Sequence, residues 1–461
     1  MMGWYKGINA ILEQEPETWL AYLYGQQLDN MPHLTRRKPK FRGLLLRLCA
    51  FGVFLLSHLK LKQPKILTSR ADYLVFSGTA NQMSSLDGTT THLTQQGARV
   101  VEIAHAKLLK TEALRSRYIP FSYNAIDIVK SLVLLVRRGP ALYLDLKRKH
   151  PTAITNYFNS FCSVYAHLVY FYRVLGSTNP AFVITANDHN PSNRSLLAVA
   201  HYLGIKTVYM QHASVSSLFP ALRVNYAFLD GQSAFDIYKS CEENQPPTHR
   251  KVPAPQVILT GQKKQIDRRI NREENVVGVA LNALDETESA IEFIKGLSNS
   301  GLEIIVRWHP GQPKGDIKRY FSVFGNSSRI KLSNPENESI SDFLNKIRWL
   351  IAGNSSIHLE AALSGVLPIY YEQRPSDSPD YYGYVQHRLA IHAKTRSEIV
   401  EIINGDLGTS VPDVSAVRYY SSTYYTEWDG REDELVAKML LELSEKRPPS
   451  VELHALPIRL N

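Results

Sequence analysis

Cysteine is scarce in this chain of 461 residues: there are three, Cys49, Cys162 and Cys241, far apart and without a CxxC pair. That argues against a disulfide framework and a structural zinc site, and for a reducing compartment. Four chemical signatures are also missing: H-E-x-x-H, the Walker A loop, G-x-G-x-x-G and G-x-S-x-G. Their absence weighs against a zinc protease, a P-loop ATPase, a dinucleotide-dependent dehydrogenase and an α/β-hydrolase. No group of Asp and His reaches metal-ligand spacing, so no tight metal is expected. The opening "MMGWYKGINAILEQEPETWLAYLYG" has polar breaks throughout and reads as lacking a signal peptide. Short-period repeats and low-complexity tracts are absent too.

What is present is a globular composition, 44% hydrophobic and 21% charged, and a length that fills two or three domains. Net charge is +10 and the isoelectric point is near 9.2. A chain this basic suits nucleic acid, anionic lipid or a phosphate-bearing substrate. The charge is spread widely and no aromatic-basic RNA motif occurs, so nucleic acid is not the expected partner. Residues 36–63, "RRKPKFRGLLLRLCAFGVFLLSHLKLK", stand apart. Their apolar stretch from Leu44 to Leu56 contains Arg47 and falls short of the roughly 20 residues that span a bilayer. Basic residues flank it on both sides. Two readings fit: an interfacial helix on an anionic membrane surface, or a buried helix of the first domain.

From residue 72 onward a rhythm sets in. "DYLVFSG" (72–78), "ARVVEIAH" (98–105), "PAFVITAND" (180–188), "IKTVYMQH" (205–212) and "VNYAFLDG" (224–231) read as buried strands, and 194–204 as a helix. A polar, Pro-rich stretch, 239–255, then suggests a connection between domains. The rhythm restarts with strands at 256–262, 275–282, 302–310, 329–334, 348–354 and 366–371, separated by helices, and ends with a helix at 432–446. Strands alternating with helices predict α/β architecture with parallel sheets. The expected fold is two Rossmann-like doubly wound domains facing a cleft, with a helical N-terminal extension. The expected divisions are 1–66, a helical and membrane-associated segment; 67–250, an acceptor and catalytic domain; 251–410, a nucleotide-sugar domain; and 411–461, a helical tail returning across the cleft.

Ligands of such sheets sit where strands end, and polar residues gather there. "AGNSSIHLEAALSG" predicts a helix opening with Asn354 or Ser355 as N-cap, Ser355 and Ser356 adding hydroxyls to free backbone N–H groups. A phosphate is the best-fitting cargo. Glu360, further along, is near enough to reach a ribose hydroxyl. "VRWHPGQ" puts His309 at a strand end, held by Pro310, ready to pair with a phosphate oxygen, with Arg307 just before it. In "ITANDHNPSNRS", Asn187, Asp188 and His189 follow an apolar strand; Asp188 can act as base or nucleophile and His189 can orient or stabilise. Arg194 can bind a carboxylate or phosphate. Gln211 and His212 follow the neighbouring strand, with His212 a third candidate catalytic group. Thr79, Asn81 and Gln82 follow the first.

Together these residues resemble GT-B glycosyltransferases of bacterial surface polysaccharide synthesis, most of all those using CMP-activated 2-keto sugar acids, the sialyltransferases and Kdo transferases. The likeness covers roughly residues 70 to 400. The family's HP motif matches His309-Pro310 and its serine motif Ser355-Ser356. The resemblance implies that these contact the CMP part of a nucleotide-sugar donor. It implies that the N-terminal domain holds a glycan or glycolipid acceptor and the catalytic carboxylate, and that no cofactor or metal is needed. The implied location is the bacterial cytoplasm, free or peripheral on the inner face of its membrane. The acidic pair before Gly in sialyltransferases has one counterpart here, Asp230 in "FLDGQ"; Asp188 is more like the carboxylate of retaining Kdo transferases, so the stereochemistry stays open. A CDP-glycerol or CDP-ribitol polymer transferase and a UDP-GlcNAc 2-epimerase-like isomerase are the alternatives.

Overall fold

A computed structural model of the chain describes residues 3–13, 43–59, 70–217, 219–244, 254–262, 276–282, 285–373, 379–405 and 412–459. It divides into two compact units, Met1–Lys263 with Arg431–Asn461, and Lys264–Gly430.

The first unit is built on strands β1 (Tyr73–Ser77), β2 (Val100–His105), β3 (Ile119–Phe121), β4 (Phe182–Thr185), β5 (Lys206–Met210), β6 (Tyr226–Leu229) and β7 (Gln256–Leu259). Read across the sheet, the order is His454–Ala455, β7, β6, β5, β4, β1, β2, β3. All neighbours are parallel except His454–Ala455, which pairs antiparallel with β7. β1 and β4 are buried along their whole length, as the near-continuous apolar runs require. Expected to open the second half, β7 instead pairs with β6, from Tyr226↔Gln256 to Leu229↔Leu259. Its short apolar run can complete either sheet, and backbone pairing, which is not local, decides.

Helices cover this sheet. Phe158–Thr178 is buried along most of its length, and Ala125–Lys149 packs against it. Asn124 and Asp127 form a capping box at the start of the latter, and Arg173 closes on the buried Asp127 carboxylate at 2.7 Å. The helices Gly3–Leu12 and Leu44–Leu59 pack on Phe158–Thr178 as well, sending Ile8, Ile11, Phe51 and Leu55 into the unit's main core. They are therefore part of this unit rather than a separate extension. Of the segment 36–63, residues 36–42 and 60–63 lie outside the described residues. Within its helix only Phe51, Leu55 and His58 are buried, so it is not an internal helix. Among the described residues no helix is long and apolar enough to cross a membrane.

The C-terminal helix Glu432–Ser444 belongs to the first unit. It lies on Ala80–Gln95, where Thr89 donates to Asp433 (2.7 Å) and the Tyr73 hydroxyl donates to the Leu440 carbonyl (3.1 Å). Gly88 leaves room for this contact, since a Cβ there would meet the Asp433 carboxylate.

The second unit holds β8 (Val276–Ala280), β9 (Glu303–Arg307), β10 (Ile330–Ser333), β11 (Trp349–Ala352), β12 (Leu367–Tyr370) and β13 (Ile391–His392). They form one parallel sheet in the order β10, β9, β8, β11, β12, β13. Both units thus carry the doubly wound pattern that the alternating sequence predicts.

Each core holds a neutral histidine. Burial pulls His167 down to about 3 and His358 to about 4. His167 Nδ1 faces the Tyr123 hydroxyl at 2.6 Å, and His358 Nε2 faces the Gly353 carbonyl at 2.9 Å. Unfolding lets each ring take up a proton below about pH 6.5. Their contribution is therefore complete above that pH and drains away as pH falls toward 4. At pH 5 the loss should be about 2 kcal/mol per histidine. Urea unfolding at pH 7 and pH 5 checks this: the midpoint falls at pH 5 and falls less in His358→Gln. Equal midpoints in the wild type would contradict it.

Candidate functional site

Each sheet reverses its strand order once. In the first unit β1 leads outward to β2 and β3, and the chain returns to β4 on the other side of β1. In the second, β8 leads to β9 and β10, and the chain returns to β11 on the other side of β8. Neighbouring crossovers leave toward opposite faces at such a point, so the carboxyl ends of the two strands frame a crevice. The polar motifs fall on these two edges.

In the first unit the loop after β4 carries Asn187, Asp188 and His189, all buried. β4 stops at Thr185 rather than running to Asp188. The Thr185 hydroxyl donates to the Asn187 carbonyl (2.9 Å) and turns the chain out of the sheet. Asn187 then organises the loop. Its Oδ1 accepts the backbone N–H groups of His189 (2.9 Å) and Asn190 (3.0 Å). Its amide nitrogen lies 3.2 Å from His189 Nε2. An amide donor makes Nε2 an acceptor, so the ring proton sits on Nδ1, which points at Asp188 Oδ1 at 3.1 Å. The His189 ring is thus held between Asn187 and the Asp188 carboxylate, with Phe219 against it. Behind Asp188 are Tyr209 and Tyr238, hydroxyl to hydroxyl at 3.0 Å. Burial, then the negative charge of Asp188, raises the Tyr209 phenol, and the same two causes push the Cys241 thiol up to about 12.

Other expected residues of this edge brace the loops. Gln82 accepts the Gly78 N–H (2.8 Å) after β1. Gln211 accepts the Asp230 N–H (2.9 Å) and donates to the Ala213 carbonyl (3.1 Å), tying the ends of β5 and β6 together. Asn81 is exposed in the first turn of Ala80–Gln95, Arg194 is half-buried in Pro191–Tyr202, and His212 is half-buried after Gln211. Two groups escape a motif reading. Asn193, fully buried, donates to Thr185, and His105 ends β2 beside Gly78. For His105 the signal is its place as the last residue of an apolar strand.

In the second unit the strand ends are level. Arg307 pairs with Ala280, Ala280 with Ala352, and Ala352 with Tyr370. The loops after β9 and β11 thus start two strands apart, about 10 Å, on either side of Asn282. Asn282 donates to the Asn354 carbonyl (3.2 Å). His309 is exposed, and its Nδ1 accepts the Gly311 N–H (3.0 Å). The neutral ring then holds its proton on Nε2, the nitrogen turned away from its own loop. Pro310 occupies the turn closed by Gln312 N–H to His309 carbonyl (2.9 Å). Trp308, buried against Phe321, anchors the loop from below.

The loop after β11 departs from expectation. The helix spans Ile357–Leu363, and Ser356 is its N-cap without a side-chain cap bond. Asn354 is not a cap: its amide donates to Glu372 (2.7 Å) and its oxygen accepts the Tyr381 N–H (2.8 Å), holding two loops at once. Ser355 is half-buried and Ser356 exposed at this edge. Arg307 is turned into the fold, donating to the Ser333 hydroxyl (2.8 Å) and the Glu338 carbonyl (2.9 Å). Glu360 is buried, and its charge acts on Arg307. Glu372, which follows β12 and also accepts the Tyr370 hydroxyl (2.6 Å), is a further acid of this edge that no motif signals. Its position directly after the apolar "VLPIYY" is the available clue.

Neither a family model nor a curated relative matches the sequence. Solved structures do. One is a protein assigned as UDP-N-acetylglucosamine 2-epimerase from Listeria monocytogenes, at 12% identity and TM-score 0.51, covering 83% of this chain and 99% of that one. Another UDP-N-acetylglucosamine 2-epimerase matches at 13% identity and TM-score 0.51, covering 84% of this chain and 100% of its own. At such identities the likeness is one of fold, and the fold is of the GT-B type, two Rossmann-like units in one chain.

The buried guanidinium of Arg307 makes a direct prediction. Arg307→Met should lower stability by about 3 kcal/mol, since it strips the partner from groups held inside the fold. Nucleotide-dependent stabilisation should survive in the variant. Unchanged melting combined with a lost nucleotide response would show that Arg307 serves a ligand instead.

Proposed function

We propose that the chain is a nucleotide-sugar enzyme, a glycosyltransferase whose donor is a CMP-activated 2-keto sugar acid of the Kdo or sialic-acid type. The acceptor in this reading is a glycan or glycolipid of a bacterial surface polysaccharide. One observation carries the proposal: in both units the polar loops fall where the strand order reverses, the place where open α/β sheets take ligands. A composition-driven scatter of polar loops would not choose these two points.

The second unit's edge suits a phosphate. His309 offers an Nε2–H donor from a turn stiffened by Pro310, and Ser355 and Ser356 offer hydroxyls two strands away. In the proposed reaction the bond between the anomeric carbon and the phosphate oxygen breaks. The electron pair goes to the phosphate of departing CMP, and these donors stabilise the charge that develops there. Asp188 meets the positive charge on the sugar. It acts as base, taking the proton of the acceptor hydroxyl as the new carbon–oxygen bond forms, or as nucleophile in a two-step displacement. His189 holds the carboxylate in register through Oδ1. The reaction as proposed uses no metal and no cofactor.

A second reading is an isomerase acting on UDP-N-acetylglucosamine. It is favoured by the two structures at TM-score 0.51, both described as 2-epimerases of that sugar nucleotide. The nucleobase separates the two readings. Thermal shift of the wild type and of His309→Ala with CMP, CDP, UDP, GDP and ADP is the test. At 100 times its dissociation constant a ligand adds about 2.7 kcal/mol. The expected result is stabilisation by CMP, reduced in the variant. Selective stabilisation by UDP would replace the transferase reading with the epimerase one, and no response to any nucleotide would remove both.

A further inference from the structure

The described residues leave an unusual amount of aliphatic surface uncovered, and most of it lies on two helices. Eight exposed large hydrophobic side chains lie on the helix Leu44–Leu59 and six on Ala125–Lys149, against five in all the other described residues. Leu45 is 75% exposed and Val136 73%. On the longer helix Ile126, Val129, Val133 and Val136 recur every three or four residues, which is a single face.

One contact near each end relates the two helices. The Arg47 guanidinium donates to the Thr155 carbonyl (2.7 Å), just beyond the end of the longer helix. At the other end the His58 ring lies 4.2 Å from Tyr123, immediately before the cap of that helix. The helices therefore run in opposite directions, and both pack on the same core helix, Phe158–Thr178. Both send their other faces, Phe51 and Leu55 on one and Ile128 and Leu134 on the other, into the same core. Their exposed faces are the ones turned away from that core.

We propose that these two helices form one surface that lies on an anionic lipid bilayer, whatever reaction the chain carries out. The sequence alone offers only the first helix for this role; the second is what makes a face of it. Charge selects the occupant. The longer helix bears Lys130, Arg137, Lys147 and Arg148, while Arg138 is paired with Glu13. Its two acids are both neutralised within the chain, Asp127 by Arg173 and Asp145 by Lys149. Basic residues also flank the first helix in the sequence, at 36–42 and 60–62. An aliphatic stripe edged by Lys and Arg is what an interfacial helix presents to headgroups and acyl chains. Protein interfaces are instead enriched in Tyr, Trp and Arg at their centres, and this face is almost wholly Leu, Ile and Val.

The test is co-sedimentation of the full chain with vesicles of phosphatidylcholine, with and without about one third phosphatidylglycerol. Wild type is compared with two double variants, Leu45→Asp/Val53→Asp and Val129→Asp/Val136→Asp. All four side chains are exposed, and circular dichroism and thermal melts confirm that the variants fold. Wild type should pellet with the anionic vesicles, more weakly at high salt, and each double variant should lose about tenfold or more in binding. Wild type left in the supernatant with both vesicle types overturns the proposal. So does wild-type binding by Val129→Asp/Val136→Asp, which would remove the second helix from the surface. A dimer dissolved by the same substitutions, with no vesicle binding, would assign the face to a second copy of the chain.

Discussion

Where a parallel sheet reverses its strand order, the chain leaves one strand toward one face and the neighbouring strand toward the other. No crossover then covers the gap between their ends, and polar loops can sit there within reach of a ligand. The reversal falls between β1 and β4 in one unit and between β8 and β11 in the other. Burial of polar groups is costly unless each is bonded, and both edges meet that demand with an asparagine. Asn187 takes two backbone N–H groups and holds the His189 ring. Asn354 joins Glu372 to the Tyr381 backbone. With the loop after β4 held in this way, the Asp188 carboxylate is contacted by the His189 ring, while His309 stiffens its own turn by accepting the Gly311 N–H.

Much of this was legible in the sequence, and the reasons are particular. Buried parallel strands read as unbroken apolar runs, so β1, β4, β8 and β11 stand out, and the residue following each run is a strand end by construction. The two long helices of the first unit are far less legible. Phe158–Thr178 is buried nearly all round, so its polarity does not alternate with the helical period. Ala125–Lys149 has apolar residues on both its core face and its open face, which blurs the same signal. At the site, residue type and position could be read but side-chain direction could not. Nothing in "VRWHPGQ" says that Arg307 turns inward to Ser333 while His309 stays outside. Nothing in "GNSSIHLE" says that the helix waits until Ile357.

The first unit also places polarity and apolarity against the usual arrangement. Inside it lie an Asp127–Arg173 ion pair and neutral His167, while valines and leucines face outward on neighbouring helices. The ion pair is held by a capping box and the histidine by a tyrosine hydroxyl, so each polar group is matched. The exposed aliphatics have no such compensation within the described chain. A scattered few would need no explanation, since folded proteins always expose some apolar surface. A group concentrated on two helices that pack on the same core helix is different.

The first unit takes its last helix and its edge strand from Arg431–Asn461, after the whole of the second unit has intervened. On a ribosome the two units would consequently mature in inverse order. Residues 264–430 have every strand of their sheet in hand once residue 430 has emerged. The earlier-synthesised unit holds Gly88, Tyr73 and the open edge of β7 uncovered until residues 433–455 arrive. The unit begun first is completed after the other, and until then the open edge of β7 is a template for pairing with another chain.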